Sequence, residues 1–596
     1  MPGFIRLRAP LFLSVVCIAA LLYSVQPVLA ADGPWQPIFD GKTFTGWEGN
    51  QKIFRIEDGA IVGGNLREAL PQNEFLCTVD AYDNFVLRAQ FKLVGEATNA
   101  GIQIRSTRIP GSHEVIGYQA DLGDGFWGAI YDESRRNRVL TGPNEADVLQ
   151  VLDRDGWNDY AIYANGRRIR LFINGFLTAD YTEPDLSLDQ QGHICLQIHS
   201  GPPGEVWYKD LQLKKLEPKP EANIATETGG VTFRKHELLN EFVTEGITSG
   251  DVDGDGDLDL IVGPYWLEAP TWTRHEFRPP RTFSVHRGYS DAFLSYTLDV
   301  DQDGWLDVIQ FDFPGEAAYW YRNPGERGQY WKRGLVHPGV RSESPRMVDM
   351  DGDGRDDLLF VNQLTRQVVW LKSPNEPGDT TWTEHVISAP FSEERLGLLA
   401  HGIGHGDING DGREDVFVVD AWFEAPPDPR GTWIEHPAPL GPPSAHMYAL
   451  DIDGDGDSDV VGSSAHDYGI WWYEQIRSQD NLAWKQHTIE DRISQTHALV
   501  VTDLNGDGFQ DLITGKRFFA HNGNDPGEFE PSLLLWFAGD RDAQNRPTWT
   551  PYLIDSDTGI GLQILFEDVT GDGREDIVTA SKKGVFLFER TDSAEL

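Results

Sequence analysis

Asp251-Val252-Asp253-Gly254-Asp255-Gly256-Asp257-Leu258-Asp259 is the stretch on which the reading of this chain turns. It recurs six more times, beginning at Asp299, Asp349, Asp407, Asp451, Asp503 and Asp568. Each copy follows D-x-[D/N/T]-x-D-G-x-x-D and runs into an apolar segment such as Leu260-Ile261-Val262. Positions one, three, five and nine carry side-chain oxygens, the donors that a hard cation such as calcium takes in sixes to eights. The expected ligands are Asp251, Asp253, Asp255 and Asp259; Asp299, Asp301, Asp303 and Asp307; Asp349, Asp351, Asp353 and Asp357; Asp407, Asn409, Asp411 and Asp415; Asp451, Asp453, Asp455 and Asp459; Asp503, Asn505, Asp507 and Asp511; and Asp568, Thr570, Asp572 and Asp576. Thr570 makes the seventh the weakest. One copy is an ordinary turn sequence; seven at intervals of 44 to 65 residues mark a repeat architecture.

Two further elements travel with the loop. One is an aromatic-led strand, as in Trp272-Thr273-Arg274-His275, Trp382-Thr383-Glu384-His385 and Trp484-Lys485-Gln486-His487; the other is a strand such as Tyr265-Trp266-Leu267 or Trp471-Trp472-Tyr473. Flanks that alternate like strands, and the lack of a glutamate at position twelve, argue against EF-hand or dockerin-like helical loops. Seven units of this kind predict a seven-bladed β-propeller, closed by the last strand, Gly584 to Glu589. The repeats resemble the FG-GAP/VCBS family of calcium-loop propellers over residues 233 to 590. The calcium they imply is structural.

The chain has 596 residues, enough for two or three domains. A net charge of −44 argues against nucleic acid and anionic membranes as partners. Residues 1–30 read as a secretory signal: Arg6 and Arg8, an apolar run from Leu11 to Leu22, and Val28-Leu29-Ala30 before the cleavage point. The protein is therefore expected to be exported, to the periplasm or beyond, with no membrane span after cleavage. Cys77 and Cys195 remain, and pairing or two buried thiols both fit.

Residues 33–216 carry alternating strands, such as Phe85 to Phe91 and Ile169 to Ile173, with turns such as Asn165-Gly166 and no long helix. This predicts a β-sandwich. Residues 217–231, with Pro218 and Pro220 in a polar run, read as a linker, and the propeller fills 232–592. Overall the fold class is all-β, a sandwich followed by a propeller.

Several motifs in the first domain resemble the 3-keto-disaccharide hydrolase family, which has a concanavalin-like jelly-roll fold. They are Phe39-Asp40-Gly41-Lys42, Asn99-Ala100-Gly101-Ile102-Gln103-Ile104-Arg105, Gly128-Ala129-Ile130-Tyr131 and Gly192-His193-Ile194-Cys195-Leu196-Gln197-Ile198-His199. Many members read G-Y-E-V-Q where this chain has Gly117-Tyr118-Gln119-Ala120-Asp121, so the carboxylate moves by two residues and keeps its strand face. The resemblance implies a carbohydrate substrate, a 3-keto-glycoside. A ketone at C3 acidifies the C2 hydrogen; its removal gives an enolate that expels the C1 group, and water adds back. This chemistry needs a base, a donor for the enolate oxygen and an acid for the leaving group. The candidate bases are Asp121, Glu133 and His199. Arg105 and Arg135 are candidates for the enolate, Tyr131 for the acid, and Gln103, Gln119 and Gln197 for sugar hydroxyls. Trp127 and Trp157 are candidate stacking surfaces.

A second set lies in the propeller. His401, His405, His446 and His497 all precede calcium-type loops, where strands run toward the central channel, and imidazoles meeting there could bind a transition metal. The stretch from His401 to Asp411 resembles the metal-dependent propeller domain of aldos-2-ulose dehydratases, which eliminate water from keto-sugars. His275, His385, His436 and His487 belong to the repeated outer strand and are expected to be structural. Three functions therefore compete: an enzyme acting on 3-keto-glycosides in the jelly roll, a glycan-binding or adhesion protein without turnover, and a metal-dependent sugar lyase or dehydratase in the propeller. The sequence sets no oligomeric state.

Overall fold

The computed structural model describes residues 33–591 apart from residues 97, 186, 217–223, 225–227, 286–287, 400, 479–480 and 523. The signal segment 1–30, most of the linker and residues 592–596 lie outside the described residues. No described helix is long and apolar enough to cross a membrane.

The first domain is a sandwich of an eight-stranded and a seven-stranded antiparallel sheet. Alternation decides which side chains meet between them. From the strand Phe85–Val94, Phe85, Leu87, Ala89 and Phe91 point inward, opposite Ile102, Ile104, Tyr118, Ala120, Leu122, Leu196 and Ile198 of the other sheet. Cys77 and Cys195 face each other on neighbouring strands and form a disulfide, which settles the choice left open above.

Seven four-stranded sheets follow. Each loop connects the first and second strands of a blade, as between Thr248–Gly250 and Asp259–Val262. The aromatic-led strand that precedes a loop is the fourth strand of the preceding blade. The ring is closed by both ends of the domain: Thr232–Leu239 forms the outer strand of the last blade and pairs with Gly584–Thr591. The closing strand is thus the N-terminal one, and Gly584–Thr591 is third in its blade.

The repeated histidines have a packing role. His275, His385, His436 and His487 stack on Trp266, Trp370, Trp422 and Trp472 of the third strand, at centroid distances of 4.2 to 4.3 Å. They are direct cross-strand partners, so the Trp and His of each blade report its register.

The two domains pack together. Val86, Tyr163 and Phe172, on the outer face of the eight-stranded sheet, form one cluster with Phe518, Phe519 and Phe529 of the sixth blade. Buried Arg170 donates through Nη1 to the Phe529 carbonyl. The propeller therefore covers one face of the sandwich and leaves the outer face of the seven-stranded sheet on the far side.

Candidate functional site

On that far face the strands Ala100–Arg108, Val115–Leu122, Ile130–Glu133 and His193–Ile198 lie side by side. Their register sets Gly101 opposite Asp121, Gln103 opposite Gln119, and Gln119 opposite Tyr131. Gln197 stands on the other side of Gly101. A polar relay runs across them. Ser106 Oγ donates to Gln103 Oε1 (2.9 Å), Gln103 Nε2 to Gln119 Oε1 (2.6 Å), and Gln119 Nε2 to Asp121 Oδ1 (2.7 Å). Gly101 makes room for this: a Cβ there would sit 2.7 Å from the Gln119 amide carbon.

Electrostatics single out two carboxyls. Burial pushes Asp121 up to about 7, with the Gln119 hydrogen bond opposing and the charge of Glu133 adding. Burial and the charge of Glu114 push Glu133 up to about 7 as well. Tyr131 is raised by burial and by Glu133. The Gln197 amide is buried, and neither its nitrogen nor its oxygen has a hydrogen-bond partner. Buried amides without partners are uncommon, and here both a donor and an acceptor are left over. Asp121, Glu133, Tyr131, Gln103, Gln119 and Gln197 thus share one face. His199 continues their row at its rim, exposed, with Nδ1 2.7 Å from the Ser200 carbonyl.

Four expected residues lie elsewhere. Arg105 sits at a bulge with φ of 49°, which brings Ser106 into the row and sends the guanidinium to the carbonyls of Asp83 and Gly166 and to Gln190. Arg135 packs on the Tyr118 ring and pairs with Asp132, on the core side of the sheet. Trp127 stacks on Phe91 inside the sandwich core. Trp157 lies beside the other sheet, with the Lys92 and Lys209 ammonium groups over its ring.

The propeller loops divide their carboxylates by position. The ninth residue, in each of Asp259, Asp307, Asp357, Asp415, Asp459, Asp511 and Asp576, is buried. It accepts one backbone N–H from its own loop and another from the later part of the third strand or just past it, as Asp259 does from Val252 and Ala269. The ninth carboxylate, read as a fourth ligand, thus also joins loop to blade, and it keeps a further lone pair. Positions one, three and five converge: the carboxylate oxygens of Asp251, Asp253 and Asp255 lie within 4.8 Å of one another, as do those of the second and third loops. Asp301 Oδ1 and Asp351 Oδ1 are buried without a hydrogen-bond partner. Gln302, the one departure from glycine at position four, adopts the same left-handed backbone, with φ of 55°. In the seventh loop Thr570 Oγ1 donates to Asp576 Oδ2 at 2.9 Å.

Imidazoles do meet at the central channel, in a different set from the one expected. Side-chain nitrogens of His401, His466 and His497 lie within 4.8 Å of one another. His405 is turned outward to Glu414, and His446 faces the Leu499 carbonyl. Gln563 bridges the Ile247 and Ser295 amides. The difference is one of offset. His401 and His497 precede Asp407 and Asp503 by six residues, as Glu343 precedes Asp349, and these three side chains meet. His446 precedes Asp451 by five and falls one residue out of phase. His466 and His521, which the sequence reading missed, come from turns between second and third strands. The interval from Asp503 to Asp568, the longest between loops, was the signal that the sixth blade carries an insertion.

Residues 34–214 match the family described as the 3-keto-alpha-glucoside-1,2-lyase-like domain, and residues 299–360 and 451–514 match the FG-GAP-like repeat. A 107-residue segment is 33% identical to integrin alpha-PS2 of Drosophila melanogaster; it spans 16% of this chain and 7% of that protein. Among solved structures, a carbohydrate-binding module, CBM66, from Bacillus subtilis aligns at 13% identity over 28% of this chain and 96% of its own, with a TM-score of 0.23. A kappa-carrageenase from Pseudoalteromonas carrageenovora aligns at 11% identity over 32% and 99%, with a TM-score of 0.23.

Proposed function

We propose that this is an exported carbohydrate-active enzyme that cleaves 3-keto-glycosides on the outer face of the seven-stranded sheet. The observation that carries the reading is Asp121: a buried carboxyl with a pKa of about 7, held by Gln119 in a row of amides. A base poised near neutrality suits abstraction of a proton from carbon beside a ketone. In this reading Asp121 takes the C2 proton, and the Gln197 amide, with its unused donor, holds the enolate oxygen. Tyr131 gives its proton to the departing C1 oxygen, and burial, with a smaller contribution from Glu133, keeps the Asp121 pKa high. Gln103 and Gln119 orient Asp121 and sugar hydroxyls. The family match over residues 34–214 supports the substrate class.

The propeller's role in this reading is structural. Converging carboxylates at positions one, three and five, with one oxygen each of Asp301 and Asp351 buried without a partner, suit calcium, beside the Arg322, Lys372 and Arg430 side chains that pair with the second and third loops. The Cys77–Cys195 disulfide fits an oxidising compartment.

The test is turnover of a 3-keto-glucoside beside the matching unoxidised glucoside, using the mature chain. Release of aglycone from the keto-sugar alone is the expected result. Binding of glycans with no turnover of either sugar would replace the enzyme with a glycan-binding protein.

A further inference from the structure

Three blades and one hairpin put nitrogen and oxygen donors at a single point in the propeller. His401 Nε2 lies 2.7 Å from His466 Nε2 and 3.1 Å from Glu343 Oε1, and His497 Nε2 lies 3.1 Å from Glu343 Oε2. His497 is 1% exposed: its Nε2 has the Glu343 carboxylate beside it, and its Nδ1 has no hydrogen-bond partner. A buried ring nitrogen without a hydrogen bond costs about as much as any unsatisfied polar group, and a bond to a metal would satisfy it.

The surroundings are those of a ligand shell. His466 contacts Asp525 Oδ2 through Nδ1 at 3.2 Å, and Asp525 Oδ1 lies 2.9 Å from His521 Nδ1. A carboxylate on the far nitrogen of an imidazole fixes the tautomer that presents the near nitrogen to a metal. Bonds of about 2.0–2.1 Å in a tetrahedron set ligand atoms about 3.3 Å apart, so the His401–His466 pair at 2.7 Å would open slightly to take an ion, whereas the Glu343 contacts at 3.1 Å need little change. The donors are mostly imidazole, which favours zinc and its neighbours over calcium.

We propose that His401, His466 and His497, with Glu343 beside two of them, form a binding site for a divalent transition ion such as zinc, oriented by Asp525. The site is separate from the seven calcium-type loops, which offer oxygen only, and from the face that carries Asp121. Its exposed side is at His466. The segment that supplies His521 and Asp525 also supplies Asn524, which accepts from Arg88, and Phe529, which packs on Phe172, so the metal would brace the segment that seats the jelly roll.

The experiment titrates the full mature chain with cobalt(II) while excess calcium fills the oxygen sites. One equivalent with the visible absorption of four-coordinate, imidazole-bound cobalt is expected, displaced by zinc. His466→Ala, at a half-exposed position, should remove the absorption, and Asp525→Asn should weaken binding by about 10–100-fold while retaining it. Melting curves identify variants that fail to fold, and His401→Gln then replaces any that do. Absence of the absorption in the unaltered chain, or its persistence in folded His466→Ala and His401→Gln, would overturn the proposal.

Discussion

Gln119 and Asp121 stand two residues apart on one strand, and the amide of the first donates to Oδ1 of the second at 2.7 Å. That bond stabilises the charged carboxylate, while burial and Glu133 disfavour it. Asp121 therefore titrates where a base is useful, and its neighbours can move it in either direction.

For Asp121→Asn, turnover of the keto-sugar should fall by about 10²–10⁴-fold with binding retained. Only the deprotonated form acts as base, so kcat/KM of the unaltered chain should rise with pH and level off above about 7. Glu133→Gln removes a repelling charge, lowers the Asp121 pKa and moves this acid limb to lower pH. A limb that stays in place would detach Glu133 from the site.

Gly101→Ala brings a methyl group against the Gln119 amide. Forced packing of this kind costs about 1–3 kcal/mol, to be read as a lower Tm. Displacing Gln119 also removes the bond that lowers the Asp121 pKa, so the acid limb should move to higher pH, opposite to Glu133→Gln. Equal limbs in Gly101→Ala and the unaltered chain would show that Gln119 does not hold Asp121.

Reducing the Cys77–Cys195 disulfide, or replacing both residues by Ser, frees a 118-residue loop. A loss of about 2–4 kcal/mol is expected in denaturant unfolding. The loss should fall on the jelly-roll transition and spare the propeller.

Chelation of calcium should lower the melting temperature of the propeller. A site filled at 100 times its Kd contributes about 2.7 kcal/mol, and several loops act together. Asp351→Asn should remove one calcium from the count measured by calorimetry, whereas Thr570→Ala should change it little, since that hydroxyl already serves Asp576. Identical melting with and without chelator would leave the loops as hydrogen-bonded turns.

The sequence by itself determined the architecture. Seven copies of one loop can be satisfied only by seven equivalent strand pairs, and strict alternation in residues 33–216 can be buried only between two sheets. It also determined the row from Gln103 to Glu133, because residues two apart on a strand keep the same face. The tertiary structure decided what depends on a one-residue shift or on distant chain segments. The bulge after Ile104 removed Arg105 from the face and put Ser106 in its place. The offset of five instead of six kept His446 away from His401 and His497, and a turn of the fifth blade supplied His466. Local sequence carries strand periodicity, but phase across a bulge and convergence across blades are set by packing, which is why those residues emerged only from the fold.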